Sequence, residues 1–238
     1  MMHDEIDVYL NVRAKEGRLY SDEVVKRLPA VPEDHPLRSE WGARAASSER
    51  LVAYLRRSRR PVTILDLGCG NGWLSHRMAC SGIASVVGLD RDSPELRQAC
   101  RVFSSEKSLS WISADVFVAP FASRTFDFIV IASAIQYFAD LPCLVIALLP
   151  LLADGGEIHI LDSPLYSVEE WPAARERSKH YYERLGFPEM ASRYHHHISS
   201  VLDVYNPTWL YVPQLEDRGR RDQLRDSPFP WICLRPGR

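Results

Sequence analysis

From residue 60 onward the chain alternates short apolar runs with segments of helical period. VTILDLG is followed by NGWLSHRMACSG, and SVVGLD by SPELRQACRVFSSE; LSWISAD, FDFIVIAS, DLPCLVIALLPLL and GGEIHILDS continue the series. Runs that are apolar at every position suit strands buried on both faces, and the amphipathic segments between them suit covering helices. The pattern predicts an α/β fold with a doubly wound, mostly parallel sheet. Local punctuation sets boundaries. Ser93, Pro94 and Glu95 combine a capping hydroxyl, a proline at the first helical position and an acid in the first turn. Asp154, Gly155 and Gly156 are expected to end one helix and turn the chain into a strand over 157–162.

Outside this alternation the reading changes. Residues 41–57 are helical in composition and follow the proline-interrupted LPAVPEDHP, so 1–60 is expected to form an N-terminal helical cap and 61–238 a single structural unit. RRSRR, residues 56–60, is either a basic close to that helix or a phosphate-binding patch. Beyond 163 the chain offers a long helix over 168–185, alternating stretches near 201–211, and a last strand in FPWICLRP.

Composition narrows the function classes. A chain of 238 residues with 46% apolar composition can bury a full core, and its formal charge of −2 steers it toward neither nucleic acid nor an anionic membrane. A small-molecule substrate is expected, with no nucleic-acid partner. No apolar run is long enough for a membrane span, and MMHDEIDVYL carries acids where a signal peptide would carry bases, so a cytoplasmic location is expected. Five scattered cysteines with no C-x-x-C pair argue against a disulfide framework or a structural zinc site.

The chemistry concentrates in ILDLGCGNGW. In an open parallel sheet, ligands bind beyond the carboxyl ends of the strands, and Gly68, Gly70 and Gly72 follow such an end directly. Glycines there permit positive φ and close approach of a ligand, and the next helix aims free amides into the same crevice. Asp90 closes the second strand about twenty residues on, where a carboxylate can accept from both hydroxyls of a ribose. Asp115 puts another acid at the end of the third strand.

The set LDLGCGNG, GLD, SAD and FDFIVIASAIQYF resembles the S-adenosylmethionine-dependent methyltransferases with a Rossmann-like fold, in the small-molecule group around the ubiquinone-biosynthesis enzymes. The resemblance covers residues 62–163 and implies an antiparallel C-terminal strand and S-adenosyl-L-methionine as cofactor. It further implies that Gly68, Cys69, Gly70, Asn71 and Gly72 wrap the amino-acid part, with Asp66 near its ammonium. By the same resemblance Asp90 and Arg91 serve the ribose, Asp115 and Val116 the adenine, and Ala132 and Ser133 lie beside the sulfonium. The glycine spacing is G-x-G-x-G, not the G-x-G-x-x-G of nicotinamide enzymes. An NAD(P)-dependent oxidoreductase and a non-catalytic cofactor-binding subunit stay open as alternatives.

On the acceptor side IASAIQY replaces the Asp/Asn-Pro-Pro-Tyr/Phe signature of nucleobase and amide methylation, and Tyr137 is a candidate substrate contact. His195, His196 and His197 are consecutive and diverge on either a helix or a strand, so no metal is expected. His196 is the candidate base. Tyr20 could close over the cofactor, and His180, Tyr181 and Tyr182 could line the pocket. The chain is expected to be a monomer or homodimer.

Overall fold

The protein is described here by a computed structural model covering residues 2–213 and 226–236; Met1, 214–225 and 237–238 of the expected 1–60 and 61–238 units lie outside the described residues. The elements run α1 (Met2–Lys15), α2 (Asp22–Val25), α3 (Arg38–Leu55), β1 (Val62–Leu67), α4 (Trp73–Ala79), β2 (Ala84–Asp90), α5 (Pro94–Val102) and β3 (Leu109–Ser113). They continue with β4 (Phe126–Ala132), α6 (Leu141–Leu148), β5 (Leu152–Leu161), β6 (Leu165–Tyr166), α7 (Trp171–Leu185), β7 (His197–Ile198), β8 (Thr208–Tyr211) and β9 (Trp231–Leu234).

Seven strands form one sheet in the order β3-β2-β1-β4-β5-β9-β8. β1 to β5 are mutually parallel, while β9 runs antiparallel to both β5 and β8 and is the one reversed strand of this sheet among the described residues. This is the mostly parallel sheet with an antiparallel C-terminal strand that the sequence predicts. The strand order reverses between β1 and β4, which opens a crevice beyond their carboxyl ends.

Alternate residues of each strand feed two cores. Leu65, Leu67, Ile129, Ile131, Ile158 and Ile160 pack with Leu141, Leu144, Val145 and Leu148 of α6 on one face. Ile64, Val86, Phe128 and Val130 pack on the other with Leu51 and Leu55 of α3 and Leu74 and Met78 of α4. The central strands β1 and β4 have no exposed position, which explains their unbroken apolar runs, whereas β3 and β8 at the sheet edges keep exposed ones. No helix among the described residues is long and apolar enough to cross a membrane.

Three expectations about local structure need correction. Asp154–Gly156 does not end a helix; α6 stops at Leu148, a 3-10 turn follows over Leu149–Leu151, and the glycines lie inside β5. Phe126 pairs with Leu152 and Phe128 with Glu157, so the extra β5 residues bulge out of the ladder. Gly155 takes φ +75° there, and a Cβ on Gly156 would stand 3.0 Å from two carbonyl oxygens. The alternating stretch near 201–211 is half 3-10 helix, Ser199–Tyr205, and only its end forms β8. The long helix begins at Trp171 rather than Val168, with Pro172 in its first turn, and Gly186 at φ +92° closes it. In RRSRR the chain leaves α3 through a 3-10 turn, and Arg60 pairs with Asp127 at 2.6 Å.

Candidate active site

The carboxyl ends of β1, β2, β4 and β5 and the segment after β3 open into a cleft of about 1870 Å³, which α1, α3 and α7 also line. β1 hands over to the glycine loop at Gly68. The amides of Gly68 and Cys69 both donate to the Leu89 carbonyl, at 2.8 and 3.2 Å, and pin the loop to the end of β2. Gly70 sits at φ +53°, and a Cβ built on it meets nothing within 4 Å, so its backbone faces open space.

Asp90 closes β2. Its Oδ2 accepts from the Gly70 amide at 2.7 Å and its Oδ1 from the Arg91 amide at 2.7 Å. Burial pushes the Asp90 carboxyl up to about 6, against the pull of these two amides. Each oxygen keeps lone-pair capacity for a further donor. Asp66 lies deeper, 2% exposed, and accepts from the Ser75 hydroxyl at 2.5 Å. Burial pushes its carboxyl up to about 7; Ser75 opposes the shift and Asp90 adds to it. Asp115 stands on the same rim after β3, held in a turn by the Phe117 amide at 3.0 Å, and Val116 beside it is buried.

Ala132 ends β4. Ser133 follows at φ +54°, its hydroxyl donating to the Asp162 carbonyl at 2.9 Å. Gln136 donates from Nε2 to the Ser133 carbonyl at 2.6 Å, and its backbone carbonyl accepts the His195 amide at 2.7 Å. Tyr137 lies edge-on to Tyr9 at 5.4 Å and to Tyr194 at 6.3 Å, and Tyr194 lies 5.9 Å from Tyr182. This end of the cleft is therefore walled by phenol rings.

Asp66, Gly68, Cys69, Gly70, Asn71, Asp90, Arg91, Asp115, Val116, Ala132, Ser133 and Tyr137 all line this one cleft, as do Tyr20, His180, Tyr181 and Tyr182. Two expected site residues do not. Gly72 lies behind the loop: a Cβ there would come within 2.2 Å of the Trp111 ring and 2.8 Å of Ala99, so this glycine serves packing. His196 sits behind the lining, its Nε2 meeting the hydroxyl of Ser178, which itself lines the cleft, at 2.8 Å; of the two rings it is His195 that lines the cleft. His197 Nε2 is spent on the Ile135 carbonyl at 2.9 Å, so the three rings diverge.

Residues that sequence reasoning missed complete the wall. Glu95 is 5% exposed and accepts from the Tyr9 hydroxyl at 3.0 Å and from Arg13 at 3.3 Å, which fastens α1 over the cleft. Tyr9 and Arg13 stand four apart on a helix whose sequence carries no motif. Asp162, just past β5, accepts from the Ser47 and Ser227 hydroxyls at 2.7 and 2.8 Å. Its place at a strand end is the same signal that identifies Asp90.

Residues 64–156 match the family model of a methyltransferase domain. An uncharacterized methyltransferase of Mycobacterium bovis is 32% identical over 98 residues, which are 41% of this chain and 49% of that protein. The chain thus spans about half the length of that relative. A ubiquinone biosynthesis O-methyltransferase of Rhizobium rhizogenes is 24% identical over 194 residues, covering 76% of this chain and 77% of that one. A solved structure of a candidate S-adenosyl-L-methionine-dependent methyltransferase from Methanococcus maripaludis superposes with a TM-score of 0.56 at 18% identity, covering 94% and 92% of the two chains.

Proposed function

We propose that this chain, a Rossmann-like methyltransferase by its matched domain and its sheet, moves a methyl group from S-adenosyl-L-methionine to a small molecule held in the cleft. The observation that carries this reading is the Asp90 carboxylate, fixed by the Gly70 and Arg91 amides on the same cleft wall as Asp66 and Asp115.

The residues fit the group. Gly68, Cys69, Gly70 and Asn71 would wrap its amino-acid part, and Gly70 has the open space that this requires. Asp66 would stand near the ammonium, Asp90 with Arg91 at the ribose, and Asp115 with Val116 at the adenine. Ala132 and Ser133 would lie beside the sulfonium. When bound, the cofactor supplies a methyl carbon already activated by that sulfonium, so the protein has chiefly to align donor and acceptor.

Tyr137, with Tyr9, Tyr182 and Tyr194 around it, forms the proposed acceptor end. Tyr137 would orient the acceptor through its neutral hydroxyl. His195 takes the role of candidate base that sequence reasoning assigned to His196, because it is the imidazole that faces the cleft; burial lowers its pKa, which leaves the ring neutral and able to accept a proton at pH 7.

Calorimetric titration of the full chain with S-adenosyl-L-methionine, S-adenosylhomocysteine and NAD tests the donor. Binding of the first two and not the third is expected; preferential NAD binding would favour an oxidoreductase and overturn the reading. Incubation with hydroxyl, amine, thiol and carbon acceptors should then release S-adenosylhomocysteine. Binding without turnover across the panel would favour a non-catalytic cofactor-binding subunit.

A further inference from the structure

Away from the cleft, at the far end of α4, three potential ligands from two segments converge. His76 lies in the last turn of α4 and Cys80 caps that helix four residues later, so both project from one helix face. Glu106 arrives from the connection between α5 and β3. Cys80 Sγ lies 3.3 Å from His76 Nε2 and 3.8 Å from Glu106 Oε2, and the three ligand atoms all fall within 4.8 Å of one another.

We propose that His76, Cys80 and Glu106 bind a zinc ion, with water completing the coordination. Tetrahedral zinc with bonds of about 2.3 Å to sulfur and 2.0–2.1 Å to nitrogen or oxygen sets its ligand atoms roughly 3.5 Å apart. The two separations from Cys80 Sγ bracket that edge, and the imidazole and carboxylate atoms lie within 4.8 Å of one another. An imidazole, a thiolate and a carboxylate together suit this borderline-soft cation better than magnesium or calcium, which require oxygen ligands.

The surroundings hold two of the three ligands in place. The His76 ring is stacked on Phe103 at 4.3 Å with an interplanar angle of 15°, which fixes the direction of Nε2. Glu106 Oε1 accepts the Ser108 amide at 3.0 Å, which leaves Oε2 turned toward the cluster. Cys80 is exposed, so the fourth position is open to water, and the thiol proton leaves to solvent as the metal–sulfur bond forms. None of the three residues lines the cleft, so this proposal does not depend on the methyl-transfer reading.

The test is a titration of tag-free, chelator-treated full chain with zinc by calorimetry and with cobalt by absorption. One equivalent should bind, with a thiolate-to-cobalt charge-transfer band and the visible bands of a tetrahedral ion. Cys80→Ser should abolish the charge-transfer band and weaken zinc by at least the ~10–100-fold that loss of an outer-shell partner costs. Glu106→Gln should also weaken binding, while Cys100→Ser and Cys143→Ser should leave it unchanged. Circular dichroism establishes that each variant is folded. Failure to bind zinc, or binding that survives Cys80→Ser and disappears in His195→Ala or His196→Ala, would overturn the proposal.

Discussion

Asp90 spends one lone pair of each oxygen on a backbone amide and faces the cleft with the remainder. With burial holding its carboxyl at about 6, its capacity to accept two hydroxyls depends on pH. Below that value a protonated Asp90 donates where it must accept, so affinity for S-adenosylhomocysteine is predicted to be flat above pH 7 and to fall toward pH 5, measured by calorimetry. Replacement by alanine should cost roughly 100-fold or more at pH 7.5, since a hydrogen bond to a charged group contributes about 1.5–3 kcal/mol and two are lost. The effect on folding has the opposite sign. Asp90 and Asp66, at about 6 and 7, hold protons more tightly folded than unfolded. Their joint contribution therefore favours the ligand-free fold as pH drops from 7 toward 4, and is lost as pH rises through those values. Ligand affinity and these two contributions to stability thus move in opposite directions over one pH window.

At the level of elements, the glycine loop separates two demands that look alike in sequence. Gly70 and Gly72 both have positive φ, yet only Gly72 lies against side chains. Gly72→Ala should lower the stability of the ligand-free protein by several kcal/mol, adding overpacking against Trp111 to left-handed strain. Gly70→Ala should cost only the strain, about 1–2 kcal/mol, while weakening cofactor affinity more. Thermal melts paired with ligand titrations check this contrast. It also shows what the sequence makes legible. The strand–glycine–acid pattern places the cofactor edge because each of its signals lies within a few residues of a strand end. The direction Gly72 faces is set by Trp111, nearly forty residues away, and local spacing carries no trace of that. His195 and His196 are likewise indistinguishable until Gln136 and Ser178 fix which ring enters the cleft. The glycines of β5 read as a helix stop because the bulge they permit exists only against Phe126 and Phe128 of β4.

Across the whole molecule, the cleft draws its walls from parts of the chain that are distant in sequence. α1 is fastened through Tyr9 and Arg13 to Glu95, and α3 and the segment before β9 meet at Asp162. A ligand that contacts strand ends and covering helices together stabilises the folded state without binding the unfolded one. At a hundredfold excess over its dissociation constant, S-adenosylhomocysteine is predicted to stabilise the fold by about 2.7 kcal/mol. For a chain of this size that corresponds to a Tm rise of roughly 5–10 °C, read by differential scanning calorimetry. An unchanged Tm at that excess would count against ligand binding in this cleft. The cofactor edge itself is tested most directly by a crystal structure of the chain with S-adenosylhomocysteine. The ribose hydroxyls are expected on Asp90, the amino-acid part along Gly68–Asn71 and the sulfur facing Ser133 and Tyr137; a ligand seated elsewhere, or a ribose without contact to Asp90, would overturn the assignment of this edge.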